Sequence, residues 1–350
     1  MRQAGLLASR AVEKSPSDRL IYGIMKAVIA ERPGDEGVLR LAEVSEPSLR
    51  SEDLMIRVTH AGLNRADLMQ RQGHYPPPPG ASDIIGLECA GEVVAVGSAV
   101  KGWRVGERAM ALLAGGGYAE KAVVHHGSAM RIPAALSDAE AAAFPEVFLT
   151  AFLNLFQLAK VKAGDWALVH GGGSGVGTAA IQLLKEAGVR SIVTAGSEEK
   201  CNRCLNLGAD VAINYKSGPF PVAVREATGG RGVDAILDII GAAYLAQNIE
   251  SLARGGRLVL IALQKGAKTE IDLLPVLRNH LSIHGSTLRS RPEAEKVEII
   301  AAFLARFGAA LEAGRLRPPI HKVLPASEAV EAHRMMQASE HFGKIVLRFG

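Results

Sequence analysis

The sequence predicts an α/β fold: a parallel sheet wound by helices on both faces, joined to a smaller β-rich region. Three observations carry this. Between about residues 163 and 285 the apolar runs WALVH, SIVTA, VAIN, VDAILDII, RLVLIAL and LSIHG alternate with helical stretches such as TAAIQLLKEAG and EEKCNRCLNLG. Strands that are apolar throughout, alternating with helices, describe a sheet covered on both sides. The stretch HGGGSGVGTAA, from His170 to Ala180, joins one such strand directly to an amphipathic helix. Finally, 350 residues at 48% hydrophobic content can bury a large core and ordinarily divide into two domains.

The elements follow in order. Residues 1–24 lack the patterning of the rest and read as a disordered N-terminal extension. Arg2, Arg10 and Arg19 with Ser9, Ser15 and Ser17 sketch a transit peptide, but Glu13 and Asp18 argue against it, so an inert leader on a cytoplasmic protein is the expectation. MKAVIAERPG, from Met25, is the first strand; LMIRVTHAG, GEVVAVG and the stiff YPPPPG at 75–80 mark a β-rich domain over 25–147. The sheet-and-helix domain spans 148–289, and 290–350, ending in GKIVLRF, returns to the first domain.

Composition narrows the classes. The 40 basic and 36 acidic residues give a formal charge of +4 but are interspersed, with no basic block to track nucleic acid. Three cysteines are too few for a disulfide framework, and no apolar run reaches the roughly 18 residues of a membrane span.

The glycine stretch sits where a strand meets a helix start, the place at which backbone amides and the helix dipole receive a pyrophosphate. Gly172, Ser174, Gly175, Val176 and Gly177 are the candidate residues, with serine at 174 where the glycine fingerprint expects its middle glycine. The Ser174 hydroxyl is expected to exchange a glycine hydrogen for a phosphate contact. At the end of the next strand, TAGSEEK replaces the usual lone acid with Gly196 and Ser197, followed by Lys200 and Arg203, which together could face a ribose 2′-phosphate. NADPH is therefore the expected cofactor. Glu198 and Glu199 could instead serve a 2′-hydroxyl, although acids at a helix start also complement its dipole.

Taken together, NRADLMQRQGHYPPPPGAS, IIGLECAGEVVAVG, AMALLAGGGYAEK, VHGGGSGVGTAAIQL and TAGSEEK resemble the zinc-free quinone oxidoreductases of the medium-chain dehydrogenase/reductase superfamily. Among them, the similarity is to the zeta-crystallin-like NADPH:quinone oxidoreductases, in particular the tumour-suppressor-inducible branch, and it covers residues 25–350. The resemblance implies a GroES-like β domain interrupted by a Rossmann domain, with the cofactor between them and a homodimer as the assembly. It places Asn64 and Asp67 beside the nicotinamide, Tyr75 at the active site, and Ser174 on the phosphate loop. Gly196, Ser197, Lys200 and Tyr215 would hold the adenosine end, and Ser286 would lie near the nicotinamide.

No metal is expected. Zinc-dependent relatives place cysteine where this chain has Asn64 and Gly-His-Glu where it has Gly86, Leu87 and Glu88, so two ligands are missing. Cys201 and Cys204 sit inside a helix and read as packing, and the ten histidines form no ligand set. His170 borders the loop, and His125 and His126 fall at a strand edge or turn. Hydride transfer to a quinone, with Tyr75 as proton source or pocket wall, is the leading function. An enoyl or activated-alkene reductase on the same scaffold is the alternative, and a non-catalytic NADPH-binding protein the third.

Overall fold

The computed structural model describes residues 23–350. The expected leader lies almost wholly outside them, and Ile24 already opens the first strand by pairing with Ser45. That strand, β1 (Ile24–Ala30), forms an antiparallel ribbon with β2 (Leu39–Ser45). The first domain continues with β3 (Asp53–Gly62), α1 (Arg65–Arg71), β4 (Glu88–Val96), β5 (Arg108–Leu112), β6 (Lys121–His125) and β7 (Ala129–Arg131). Two helices, α2 (Asp138–Ala142) and α3 (Pro145–Phe152), lead out of it.

The chain then enters strict alternation: β8 (Trp166–His170), α4 (Gly175–Glu186), β9 (Arg190–Ala195), α5 (Glu198–Leu207), β10 (Val211–Asn214), α6 (Phe220–Ala227), β11 (Val233–Asp238), α7 (Leu245–Ser251), β12 (Leu252–Leu260), α8 (Leu274–Arg278) and β13 (Ser282–Gly285). All pairings are parallel, in the order β10-β9-β8-β11-β12-β13. Every residue of β8 is buried, as expected of a strand covered on both faces. Helix α4 packs on α5, and α6 on α7, so the two pairs cover opposite faces.

The tail comprises α9 (Glu293–Glu312), β14 (Ile320–Pro325), α10 (Ala329–Ala338) and β15 (Lys344–Arg348). Strand β3 is long enough to serve three neighbours. Its first half pairs with β6, its end with β15 through Val346 opposite Gly62, and nearly all of it with β4. The GroES-like sheet thus closes only when residues from the far end of the chain join it, in the order β14-β15-β3-β4-β5-β7. Long α9 buries Phe303 and Phe307 against Phe144, Phe148 and Phe152 in and beside α3, an aromatic block in which Phe144 and Phe148 stack at 3.9 Å. This block fixes α3 relative to the rest of the chain, and α3 carries a group of the candidate site.

Candidate active site

The strand order reverses between β8 and β11, and a crevice opens there beyond the carboxyl ends of the parallel strands. Four buried side chains fix that end of the sheet. His170 contacts Thr194 through Nδ1 at 3.0 Å and Asn248 through Nε2 at 2.7 Å, while Asn248 donates to Asp238 at 3.0 Å. Burial pushes the His170 imidazole down to about 4, so it is neutral and acts as a brace.

From β8 the chain turns at Gly171, whose φ of 73° suits glycine. Ser174 then takes an extended conformation and caps α4, its Oγ accepting the Gly177 N–H at 3.0 Å. The oxygen thus serves the helix, and the hydroxyl hydrogen is left to donate. A side chain at Gly177 would strike the Gly171 carbonyl and Gly172, so this glycine is required for the close approach of helix and loop. The N–H groups of Gly175 and Val176 have no acceptor among the described residues and point out of the helix start. Gly172 packs against Val193 and Cys204. Cys201 and Cys204 are both buried on α5, and burial raises both thiols, as packing residues require.

At the other end of the crevice, Gly196 lies against the Tyr215 hydroxyl, so these two expected residues do meet. Ser197 caps α5 by accepting the Lys200 N–H at 3.2 Å. The Lys200 ammonium donates to the Ser339 carbonyl at 2.6 Å. Arg203 stands near Lys200 with its guanidinium engaged elsewhere. Its guanidinium stacks 4.0 Å from the Phe342 ring centroid and pairs with Glu199 at 3.7 Å. Glu198 accepts from Asn214 at 2.8 Å.

The nicotinamide-side residues lead into a buried polar cluster. Asn64 precedes α1 and donates from Nδ2 to Glu88 at 2.9 Å, while its Oδ1 accepts from Lys344 at 2.7 Å. Lys344 Nζ also donates to Glu88 at 2.6 Å and to the Leu63 carbonyl, and both charged groups are sealed from solvent. The second Glu88 oxygen accepts the Glu146 N–H at 2.9 Å, capping the start of α3. Asp67 is fully buried; its Oδ2 accepts from the Asn64 N–H at 2.7 Å and from the Tyr118 hydroxyl at 3.0 Å. It therefore holds Asn64 in place instead of facing the crevice. Asp67 Oδ1 and Glu146 Oε2 are buried without partners. Burial pushes Asp67 up to about 7 and, with the nearby Glu88 charge, Glu146 up to about 8.

Tyr75 stands near Glu146 and beside Arg289. Arg289 reaches across from the segment after β13, donating to the Tyr75 carbonyl at 3.1 Å, to Gln70 at 2.6 Å and to the Ala114 carbonyl at 2.8 Å. Its guanidinium lies 5.2 Å from the Tyr75 ring centroid. Burial, then the Glu146 charge, raises the Tyr75 phenol, which keeps its proton at neutral pH. Ser286 follows β13, and its Oγ is buried and unpartnered.

These residues fit a nucleotide cofactor: unpartnered amides at a helix start, with Lys200 and a set of further cations alongside. They do not fit zinc. Asn64 and Glu88 grip the Lys344 ammonium, and no group of three His, Cys, Asp or Glu able to hold a metal exists among the described residues. Sequence reasoning missed Glu146, Tyr118, Arg289 and Lys344, and met Glu88 only as a remnant zinc position. The one local signal was a lysine at the head of an apolar strand, in GKIVLRF.

Comparison with known proteins agrees with this geometry. Residues 50–134 match the family described as alcohol dehydrogenase GroES-like domain, and 175–305 match zinc-binding dehydrogenase. The quinone oxidoreductase of Sus scrofa is 30% identical over 329 residues, covering 93% of this chain and 98% of that protein. A mycocerosic acid synthase-like polyketide synthase of Mycobacterium tuberculosis is 33% identical over 317 residues; this covers 90% of this chain but only 15% of that much longer protein. A mycobacterial protein solved in complex with NADPH superposes with a TM-score of 0.83 at 29% identity, covering 93% of this chain and all of that one. A solved NAD-dependent alcohol dehydrogenase superposes as well, with the same score at 34% identity. The chain is an oxidoreductase-type protein with a GroES-like sheet and a Rossmann sheet, and it belongs to the medium-chain dehydrogenase/reductase family.

Proposed function

We propose that this chain reduces quinones with NADPH, without metal, as a cytoplasmic homodimer. One observation carries the reading: the unpartnered amides of Gly175 and Val176 adjoin Lys344, whose stem lies against Gly175 and whose ammonium anchors the buried cluster near Tyr75. Lys344 thus links the cofactor-binding loop to the buried cluster. Bound NADPH would supply a hydride. Gly172 to Gly177 would seat its pyrophosphate, Lys200, Ser197, Gly196 and Tyr215 its adenosine end, and Ser286 the nicotinamide end. Asn64, fixed by Glu88, Lys344 and Asp67, would form a rigid wall.

A quinone needs one hydride and one proton to become the hydroquinone anion's neutral form. Tyr75 holds a proton at the mouth of the cluster, and Glu146 holds another deeper in. Reduction to an aromatic product needs no strong electrophile, which suits a chamber whose buried Lys344 is already paired with Glu88. A second reading, an enoyl reductase, rests on the similarity to a solved enoyl reductase that superposes with a TM-score of 0.82 at 27% identity. In support of the dimer, β13 is a free sheet edge flanked by exposed Leu273, Leu274, Leu277 and Ile283.

The deciding experiment compares NADPH and NADH oxidation on an ortho-quinone, a para-quinone, an enone and an enoyl thioester, with and without chelator. We expect quinones to turn over fastest, NADPH to be preferred about tenfold, or about 1.4 kcal/mol, and chelator to have no effect. A faster enoyl thioester establishes the second reading. Tight NADPH binding without turnover of any acceptor establishes a non-catalytic binder.

A further inference from the structure

Five elements bring basic side chains to one place beside the glycine loop: Arg65 on α1, Lys200 and Arg203 on α5, His321 on β14, His341 in the link from α10 to β15, and Lys344 on β15. The link from Ser339 to Lys344 draws them together. The Gly343 N–H donates to the Gly173 carbonyl at 2.8 Å, and Phe342 lies against Gly173. Arg65 donates to the Ser339 hydroxyl at 2.8 Å and Lys200 to its carbonyl at 2.6 Å. The His321 and His341 rings stand 6.4 Å apart, centroid to centroid.

The acids do not balance them. Lys344 is matched by Glu88, and Arg203 only by the exposed Glu199. Arg65 and Lys200 form no ion pair among the described residues and are satisfied by neutral oxygens. Glu340, on the surface, is the remaining acid near Lys200. His341 is buried, and its Nδ1 has no partner in either tautomer. Gathering like charges around an unsatisfied imidazole is unfavourable unless an anion joins them.

We propose that Arg65, His321 and His341 complete, from the GroES-like side and the tail, an anion site whose other wall is Lys200, and that this site takes the 2′-phosphomonoester of NADPH. The proposal rests on the NADPH reading above and deepens it: the phosphate then bridges two domains, and Arg65 and Lys200 exchange Ser339 for phosphate oxygens. Burial and the charges of Arg65, Lys200, His321 and Lys344 hold free His341 at about 4, so it is neutral before binding. Arg203 and Lys322 also face His321 and keep it low. A dianionic phosphate reverses this balance and favours the imidazolium, so His341 takes a proton from solvent on binding. The contribution of His341 then grows as pH falls. The phosphate's own second ionisation, near pH 6, acts in the opposite direction, so the ratio of variant to wild type is the quantity to follow.

The test is fluorescence titration of NADPH and NADH into wild type, His341→Gln and Arg65→Gln, across about pH 6 to pH 8. We expect each variant to bind NADPH about tenfold more weakly, the scale of one charge-assisted contact, while NADH binding is unchanged. The His341→Gln to wild-type ratio of NADPH dissociation constants should widen toward low pH. Equal weakening for NADH, or a ratio near one throughout, overturns the inference, and a ratio independent of pH overturns the protonation of His341. Wild type that binds NADPH no better than NADH instead overturns the cofactor reading itself.

Discussion

Ser174 shows how one side chain serves helix and ligand together. Its oxygen caps α4 through Gly177 and leaves the hydroxyl hydrogen directed elsewhere, so removal acts on two quantities. Ser174→Ala should lower stability by about 1 kcal/mol through the lost cap and weaken NADPH binding by about 0.5 to 1.5 kcal/mol. Ser174→Val should bind worse still, because a branched side chain at the turn displaces a pyrophosphate from the Gly175 and Val176 amides. Thermal melts and NADPH titration separate the two effects, and valine binding as tightly as serine would place the cofactor away from this turn.

At the level of elements, α1 and α3 both start in the buried cluster and both depend on carboxylates there. Asp67 receives the N–H of Asn64, and Glu88 receives that of Glu146. Glu88 and Lys344 also hold each other, so deleting either leaves a buried unpaired charge, a loss of about 3 to 5 kcal/mol in comparable pairs. Asp67 and Glu146 are raised to about 7 and about 8 in the folded state, against about 4 in an unfolded chain. The folded protein therefore keeps protons that the unfolded chain releases. The resulting stability is full below about pH 4 and is lost as pH rises through the folded values. Between about pH 5 and pH 8 the melting temperature should fall, and Glu146→Gln should flatten that slope. An unchanged slope in the variant would show that Glu146 ionises normally.

For the whole molecule, the question is what covers β13. Ile283 on the edge strand and Leu273, Leu274 and Leu277 at α8 are exposed, and in the proposed dimer a second copy pairing edge to edge would bury them. Ile283→Asp should shift the protein from dimer to monomer in sedimentation while leaving its far-UV spectrum intact. A wild-type protein that sediments as a monomer would refute this arrangement. No helix among the described residues is long and apolar enough to cross a membrane, so this face is not explained by a helical span.

Read residue by residue, the sequence by itself determined the parallel sheet, because its buried strands and capped helices announce themselves in local periodicity: WALVH, SIVTA and VAIN appear as strands as expected, while within VDAILDII and RLVLIAL the strands stop at Asp238 and Leu260, and within LSIHG the strand starts at Ser282. It also determined the strand, glycine turn and helix, and the loss of zinc ligands at Asn64 and Leu87, since each is written in adjacent residues. The resemblance grouped Gly196 with Tyr215, and the two lie against each other. Tertiary structure alone decided that Lys344 would meet Leu63, 281 residues away, and that Arg289 would reach Tyr75 across 214. It likewise turned Arg203 onto Phe342 and gathered Arg65, His321 and His341 around Lys200. The division is physical: a helix or strand is selected by side chains three, four or two positions apart, whereas a buried charge is selected by whichever partner the finished sheet carries to it, and no local pattern records that partner.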